Sequence, residues 1–253
     1  MKNVKIGFIG GGNMGGAMIE ALWHAQSDEA DAGRSSAEDE RKSSGGSEAR
    51  GTENLAQTDK NASQRECEKE AKFEILAYAR SKNEALRQRF SVKIAASEAD
   101  LAREADAVVL ATKSASYEAI LRLIAPELAG KILLLLAPSF DIKRARQIVG
   151  EGVYIARAMP NIAACIGASA TALCFDAGFS EPKKETVREI IAKIGKIYEI
   201  DEAEFAAFTG IAGSLPAYAC AFIEAAADAG VRGGLLGSFA TILSVRPWKE
   251  RRV

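Results

Sequence analysis

Val4-Lys5-Ile6-Gly7-Phe8-Ile9-Gly10-Gly11-Gly12-Asn13-Met14-Gly15-Gly16-Ala17-Met18 decides the fold. The run Val4 to Ile9 is short, apolar and without strict alternation, as suits a strand buried on both faces. Gly10-Gly11-Gly12-Asn13-Met14-Gly15 follows it and fits G-x-G-x-x-G. Met14 to Trp23 then carries apolar residues at helical spacing, so the glycines join a strand to a helix. In such a loop the first glycine ends the strand, the second admits a close-lying phosphate, and the third lets the helix pack on the sheet. The amides and dipole at the helix start offer an anion site. Ile9, Gly10, Gly11, Gly12, Asn13, Met14 and Gly15 are therefore the candidates for holding the pyrophosphate of a nicotinamide dinucleotide.

Further along, apolar strand-like runs alternate with amphipathic helical ones. The strand-like runs are Phe73 to Tyr78, Val92 to Ala95, Ala107 to Thr112, Ile132 to Leu136 and Val153 to Ala158. Asn83 to Phe90, Tyr117 to Ile124 and Ile142 to Val149 have helical spacing, and Ser97 before Glu98 and Asp100 reads as an N-cap. This alternation predicts an α/β fold of the doubly wound, Rossmann type, a mostly parallel sheet covered by helices. Two more strands follow, Ala168 to Phe175 and Lys196 to Ile200, around a helix starting near Pro182. After Asp201 the pattern turns all-helical, with Pro216 in the first turn of a helix ending near Gly230. The expected division is a dinucleotide-binding domain over 1–200 and a partial helical domain over 201–253.

One segment stands apart. From Gln26 to Lys72 the only sizeable aliphatic residue is Leu55, aromatics are absent, and Ser, Gly and charged residues dominate. Such a stretch buries too little apolar surface to offset its ordering entropy, so residues 26–72 are expected to form a disordered insertion.

NAD-specific folds usually carry an acidic residue at the end of the second strand, for the ribose 2′-hydroxyl. Here the order is Tyr78-Ala79-Arg80-Ser81-Lys82. With the insertion set aside, Arg80 falls about 18 positions after Gly15, near the usual spacing of about 20. A guanidinium, a hydroxyl and an ammonium suit a 2′-phosphate. NADP(H) is thus the expected cofactor, with NAD(H) as the alternative.

The chain has 253 residues and a formal net charge of −1, so no broad positive field would collect nucleic acid. The N-terminus is too short in apolar residues for a signal peptide, and no run of about 20 apolar residues is evident, so neither secretion nor a membrane span is expected. Cys67, Cys165, Cys174 and Cys220 form no CxxC pair, which points to a reduced, cytoplasmic protein without a structural metal. His24, the single histidine, reads as a helix-terminal residue, and no nucleophile–base pair identifies a catalytic residue.

Four segments together resemble pyrroline-5-carboxylate reductase. They are Ile6 to Met18, Ala105 to Lys113, Arg157-Ala158-Met159-Pro160-Asn161, and Thr209 to Val231 with its Gly213-Ser214-Leu215-Pro216. The resemblance implies NADPH-dependent hydride transfer to the C=N carbon of 1-pyrroline-5-carboxylate, giving L-proline. An imine is already electrophilic, so such a reaction asks mainly for orientation and electrostatics. The resemblance further implies that Arg80 and Ser81 bind the adenosine phosphate and that Ala111, Thr112 and Lys113 line the cofactor. Met159, Pro160 and Asn161 would border the nicotinamide, and Ser214, Pro216 and Asn161 would face the substrate.

The family pattern is broken at Ser114, at Ala137-Pro138-Ser139 and at Leu215. After Gly233-Gly234-Leu235 the family continues for roughly sixty residues that include helices forming its homo-oligomer. Here Pro247-Trp248-Lys249 leads into an unrelated basic tail, so those dimer helices are expected to be missing. Two other readings stay open: a non-catalytic NADP-binding remnant, and a different reductase of the same superfamily.

Overall fold

The computed structural model describes residues 3–24, 73–90 and 92–249. The expected insertion over 26–72 lies outside them. One eight-stranded sheet has the order β3-β2-β1-β4-β5-β6-β7-β8. Its strands are β1 (Val4–Ile9), β2 (Phe73–Tyr78), β3 (Lys93–Ile94), β4 (Ala107–Leu110), β5 (Ile132–Leu135), β6 (Tyr154–Met159), β7 (Ser169–Phe175) and β8 (Gly195–Glu199). The first six are parallel, in the 3-2-1-4-5-6 order of doubly wound dinucleotide-binding folds.

β7 reverses, pairing antiparallel with β6, and β8 runs parallel to β7. The link over 160–168 holds just one short 3-10 turn. A parallel return needs a crossover of a dozen or more residues, so this link forces the reversal.

Helices cover both faces. α1 is described over residues 13–24, followed by α2 (Asn83–Phe90), α3 (Glu98–Glu104), α4 (Tyr117–Ile124), α5 (Ile142–Val149) and α6 (Glu181–Ala192). Met18, Ile19 and Leu22 of α1 and Val187, Ile190 and Ile191 of α6 pack with Ile6, Phe8, Val109 and Leu134. On the other face, Leu101 of α3, Leu121 of α4 and Ala145 of α5 pack with Ile9, Val108, Leu133 and Leu135. Adjacent strand residues thus feed opposite cores, which is why these runs are apolar throughout. Truncating one such side chain, for example Leu134→Ala, costs about 2–5 kcal/mol.

Local chemistry sets the helix starts. Ser97 Oγ accepts from the Asp100 amide at 3.1 Å, as its expected cap role requires. Asp141 Oδ1 does the same for Arg144 at 2.7 Å.

After the sheet come α7 (Phe205–Phe208), a π-turn (Thr209–Gly213), α8 (Leu215–Arg232) and α9 (Gly237–Lys249). Pro216 sits in the first turn of α8, as expected. Pro247-Trp248-Lys249 forms the last turn of α9. Within Glu202–Arg232 an 18-residue window has a mean hydropathy of 1.5, a length and composition that helices of soluble proteins also reach. Thr209, Gly210, Gly213, Ser214 and Pro216 break up that stretch.

Candidate cofactor and substrate site

In an open parallel sheet, ligands bind beyond the carboxyl ends of the strands where the order reverses. Here that point lies between β1 and β4. Ile9 pairs with Tyr78 on one side and Leu110 on the other, so Gly10, Ala79 and Ala111 leave the sheet at one level. Gly10 N–H donates to Tyr78 O, and Ala111 N–H to Ile9 O, each at 2.8 Å.

Two glycines are required by the crowding. Gly10 has φ +108°, and a Cβ there would lie 2.7 Å from Ala111 O. A Cβ on Gly15 would lie 2.3 Å from Gly10 O. Gly12 differs, because a Cβ there would meet nothing within 4 Å. Its backbone therefore faces open space at the mouth of α1. The first bond of the helical ladder is Gly16 N–H to Gly12 O at 2.8 Å, so the amides of Asn13, Met14 and Gly15 precede it and can serve an anion.

A cavity of about 590 Å³ opens at this edge. Of the residues singled out by sequence, Ile9, Gly10, Gly11, Gly12, Asn13, Arg80, Ser81, Ala111, Thr112 and Lys113 all line it. Met14 packs against the core behind the loop. Arg80, Ser81 and Lys82 form an exposed turn, held by Asn83 Oδ1, which accepts from Ala79 N–H at 2.6 Å. Glu98, Ser116 and Ile120 also line the cavity and had no sequence signal beyond their places after β3 and β4.

Thr112 Oγ1 is buried and has no hydrogen-bond partner among the described residues. An orphaned hydroxyl in the wall beside three glycines, under a mouth carrying Arg80, Lys82 and Lys113, fits a polyanionic dinucleotide. The wider groove of about 800 Å³ around Arg146, Asp176 and Asp201 is a different place and holds none of these residues.

The other predicted residues sit beyond β6. Met159 and Pro160 are buried at its end and line neither of the two cavities on this edge. Asn161 and Pro216 meet in a second, mostly apolar cavity of about 510 Å³, with Leu215, Tyr218 and Phe222. Asn161 is already engaged: Oδ1 accepts from Ala163 N–H at 3.1 Å, and Nδ2 donates to Ala212 O at 2.9 Å. Ser214 Oγ donates to Thr209 O at 3.1 Å and closes the π-turn. From Arg80 at β2 to Asn161 at β6 there are four inter-strand steps, roughly 19 Å in all. The two cavities thus lie along one edge as the two ends of an extended ligand would.

Comparisons with known proteins bear on the fold that carries these cavities. A family model described as pyrroline-5-carboxylate reductase dimerisation matches residues 202–246. One described as NADP oxidoreductase, coenzyme F420-dependent, matches residues 51–137. The pyrroline-5-carboxylate reductase of Glycine max is 34% identical over 147 residues, covering 58% of this chain and 53% of the relative. That of Aquifex aeolicus is 34% identical over 134 residues, covering 53% and 50%. The chain spans about half the length of the curated relatives it matches.

Among solved structures, the Plasmodium falciparum pyrroline carboxylate reductase with NADP bound superposes with a TM-score of 0.74 at 26% identity, covering 98% of this chain and 77% of that one. The Streptococcus pyogenes 1-pyrroline-5-carboxylate reductase gives 0.72 at 26% identity, covering 97% and 76%. The match over 202–246 corrects the expectation that the dimer helices are missing, since α8 lies within it and α9 largely so.

Proposed function

We propose that the chain is a member of the pyrroline-5-carboxylate reductase family and reduces the C=N bond of 1-pyrroline-5-carboxylate with NADPH, yielding L-proline. The observation that carries the reading is the glycine-walled cavity with the orphaned Thr112 hydroxyl and the Arg80-Ser81-Lys82 mouth. NADPH, when bound, supplies the hydride. The amides of Asn13 to Gly15 bind the pyrophosphate, and Arg80 and Ser81 bind the 2′-phosphate. Ala111, Thr112 and Lys113 orient the ribose and nicotinamide half, and Met159 and Pro160 shape the strand end beyond them. Pro216, Ser214 and Asn161 shape the place where the imine sits, with Asn161 able to offer a second N–H and a second lone pair.

In this reading residues 1–200 hold the cofactor and 201–253 serve substrate and assembly. Leu215, Tyr218 and Phe222 are each more than half exposed on α8. A second copy of the chain covers them, which also excludes water from the imine. The free thiols of Cys165, Cys174 and Cys220 support a cytoplasmic setting. The deciding experiment is NADPH oxidation by purified protein with and without added 1-pyrroline-5-carboxylate. Substrate-dependent oxidation is expected. A folded sample that binds NADPH but oxidises none in its presence would overturn the enzyme reading and leave a dinucleotide-binding protein.

A further inference from the structure

We infer that Arg157 is a positioning residue for this reaction, holding the turn after β5 and the start of the helical region in one register so that cofactor edge and substrate cavity keep a fixed spacing. The inference rests on the reductase reading above. Arg157 lies within β6 and is 7% exposed. Its guanidinium reaches three elements at once. Nη1 donates to Glu202 Oε1 at 2.9 Å, Nη2 donates to Pro138 O, and the guanidinium carbon lies 4.6 Å from the centre of the Phe205 ring. Glu202 Oε1 also accepts from Ile142 N–H at 3.0 Å, which ties the same carboxylate to the start of α5.

Stability does not single out an arginine here. Arg157 Nε is buried without a partner among the described residues, and a buried ion pair replaced whole by packed apolar side chains is often no less stable. What an apolar residue cannot do is aim two donors in fixed, divergent directions, and lysine offers a single point charge instead. The elements so joined flank the site. Pro138 follows β5 on the same strand-end edge as Gly10 and Thr112. Glu202 and Phe205 lead through the π-turn to Ser214 and Pro216. Asn161, just past the end of β6, ties the far end of that segment through Ala212 O. One strand end therefore grips residues 202 and 212 and sets the spacing between them and the turn at Pro138. Errors of about 1 Å in such spacing can lower turnover 100-fold.

The test compares Arg157→Met, Arg157→Lys and Glu202→Gln in the full chain. It measures thermal midpoint, NADPH dissociation constant, kcat, KM for 1-pyrroline-5-carboxylate, and amide hydrogen exchange over 139–142 and 202–213. For Arg157→Met we expect a lowered midpoint, because the Glu202 carboxylate and the Pro138 carbonyl lose their donor, NADPH affinity within about twofold, and a kcat lowered on the order of 100-fold. Exchange should rise in both segments together, and Arg157→Lys should recover part of the loss. Wild-type kcat in the methionine variant overturns the inference. So does a loss of NADPH affinity in step with kcat, which marks a merely structural residue. If Arg157→Met does not fold, Glu202→Gln carries the same comparison. Should the wild-type protein turn nothing over, the reductase reading fails by itself. Exchange then decides the rest: loosening of both segments retains the link through Arg157, and loosening of one or neither removes it.

Discussion

Tyr117 Oη accepts the amide proton of Leu136 at 3.1 Å while donating to the carbonyl of Leu110, so one hydroxyl joins the ends of β4 and β5. The ring is fully buried and tilts against Phe140 at 5.2 Å. It therefore fixes two neighbouring strand ends on the edge that carries Thr112 and the turn after β5. Burial pushes this phenol from its ordinary 10.0 up to about 12. The folded chain holds the phenolic proton more tightly than the unfolded one does. The stability gained is complete below pH 10 and is lost as pH rises toward about 12, on the order of 2–3 kcal/mol in all. Urea denaturation between pH 9 and 12 should show a steeper decline for the wild type than for Tyr117→Phe. The phenylalanine variant itself should start about 1–3 kcal/mol less stable at neutral pH, because the Leu136 amide loses its acceptor. Equal slopes for the two proteins would remove Tyr117 from the account.

The glycines of the loop should separate folding from binding. Gly10→Ala places a methyl 2.7 Å from a backbone oxygen at φ +108°, so it should lower the thermal midpoint as well as the affinity for NADPH. Gly12→Ala meets no protein atom within 4 Å and should leave the midpoint nearly unchanged. Its methyl occupies the side from which the pyrophosphate approaches, and NADPH should bind about tenfold more weakly or worse. Thermal unfolding and NADPH titration of both variants make the check. A Gly12→Ala protein that binds NADPH as the wild type does would place the pyrophosphate elsewhere.

Arg80 is exposed at the mouth of the cavity beside Ser81 and Lys82. A charge-assisted bond to a phosphate contributes about 1.5–3 kcal/mol. Arg80→Asp should therefore weaken NADPH by about 10- to 100-fold or more, with a much smaller effect on NADH. Parallel titrations with the two cofactors measure the ratio directly. An equal loss for both would show that the guanidinium does not meet the 2′-phosphate.

Much of this architecture is legible in the chain, and the illegible parts have a common cause. β1, β2, α2, α4 and α5 have the bounds their apolar patterns predict, because each pattern records which face a residue buries. The reversal of β7 was written in the shortness of the 160–168 link, a signal of length and not of composition. The glycine loop and the Arg80 turn are local, so their meeting in one cavity follows from the strand order alone. Asn161 is the contrary case. Its amide suggests a ligand contact, but its partners include the backbone carbonyl of Ala212, 51 residues away. The Glu202 partner of Arg157 is 45 residues distant. No local pattern announces a bond between groups that only the finished fold brings together.

Phe222 is 63% exposed on α8, close to Leu215 and Tyr218, and it also lines the cavity with Asn161 and Pro216. If a second copy covers this face, a charge placed there must be buried on assembly. Phe222→Glu should then weaken dimerisation by about 2 kcal/mol or more, at least 30-fold, as expected for an aromatic anchor replaced by an unpaired charge. The cofactor cavity lies several strands away, so NADPH affinity per chain should stay within about twofold. Turnover should fall with the dimer, because the imine would then sit against water. Sedimentation or light scattering across a concentration series, run beside NADPH titration and the substrate-dependent assay, separates the three quantities. A variant with unchanged mass in solution would show that α8 does not face the partner. A monomeric variant with full activity would show that one chain alone completes the site.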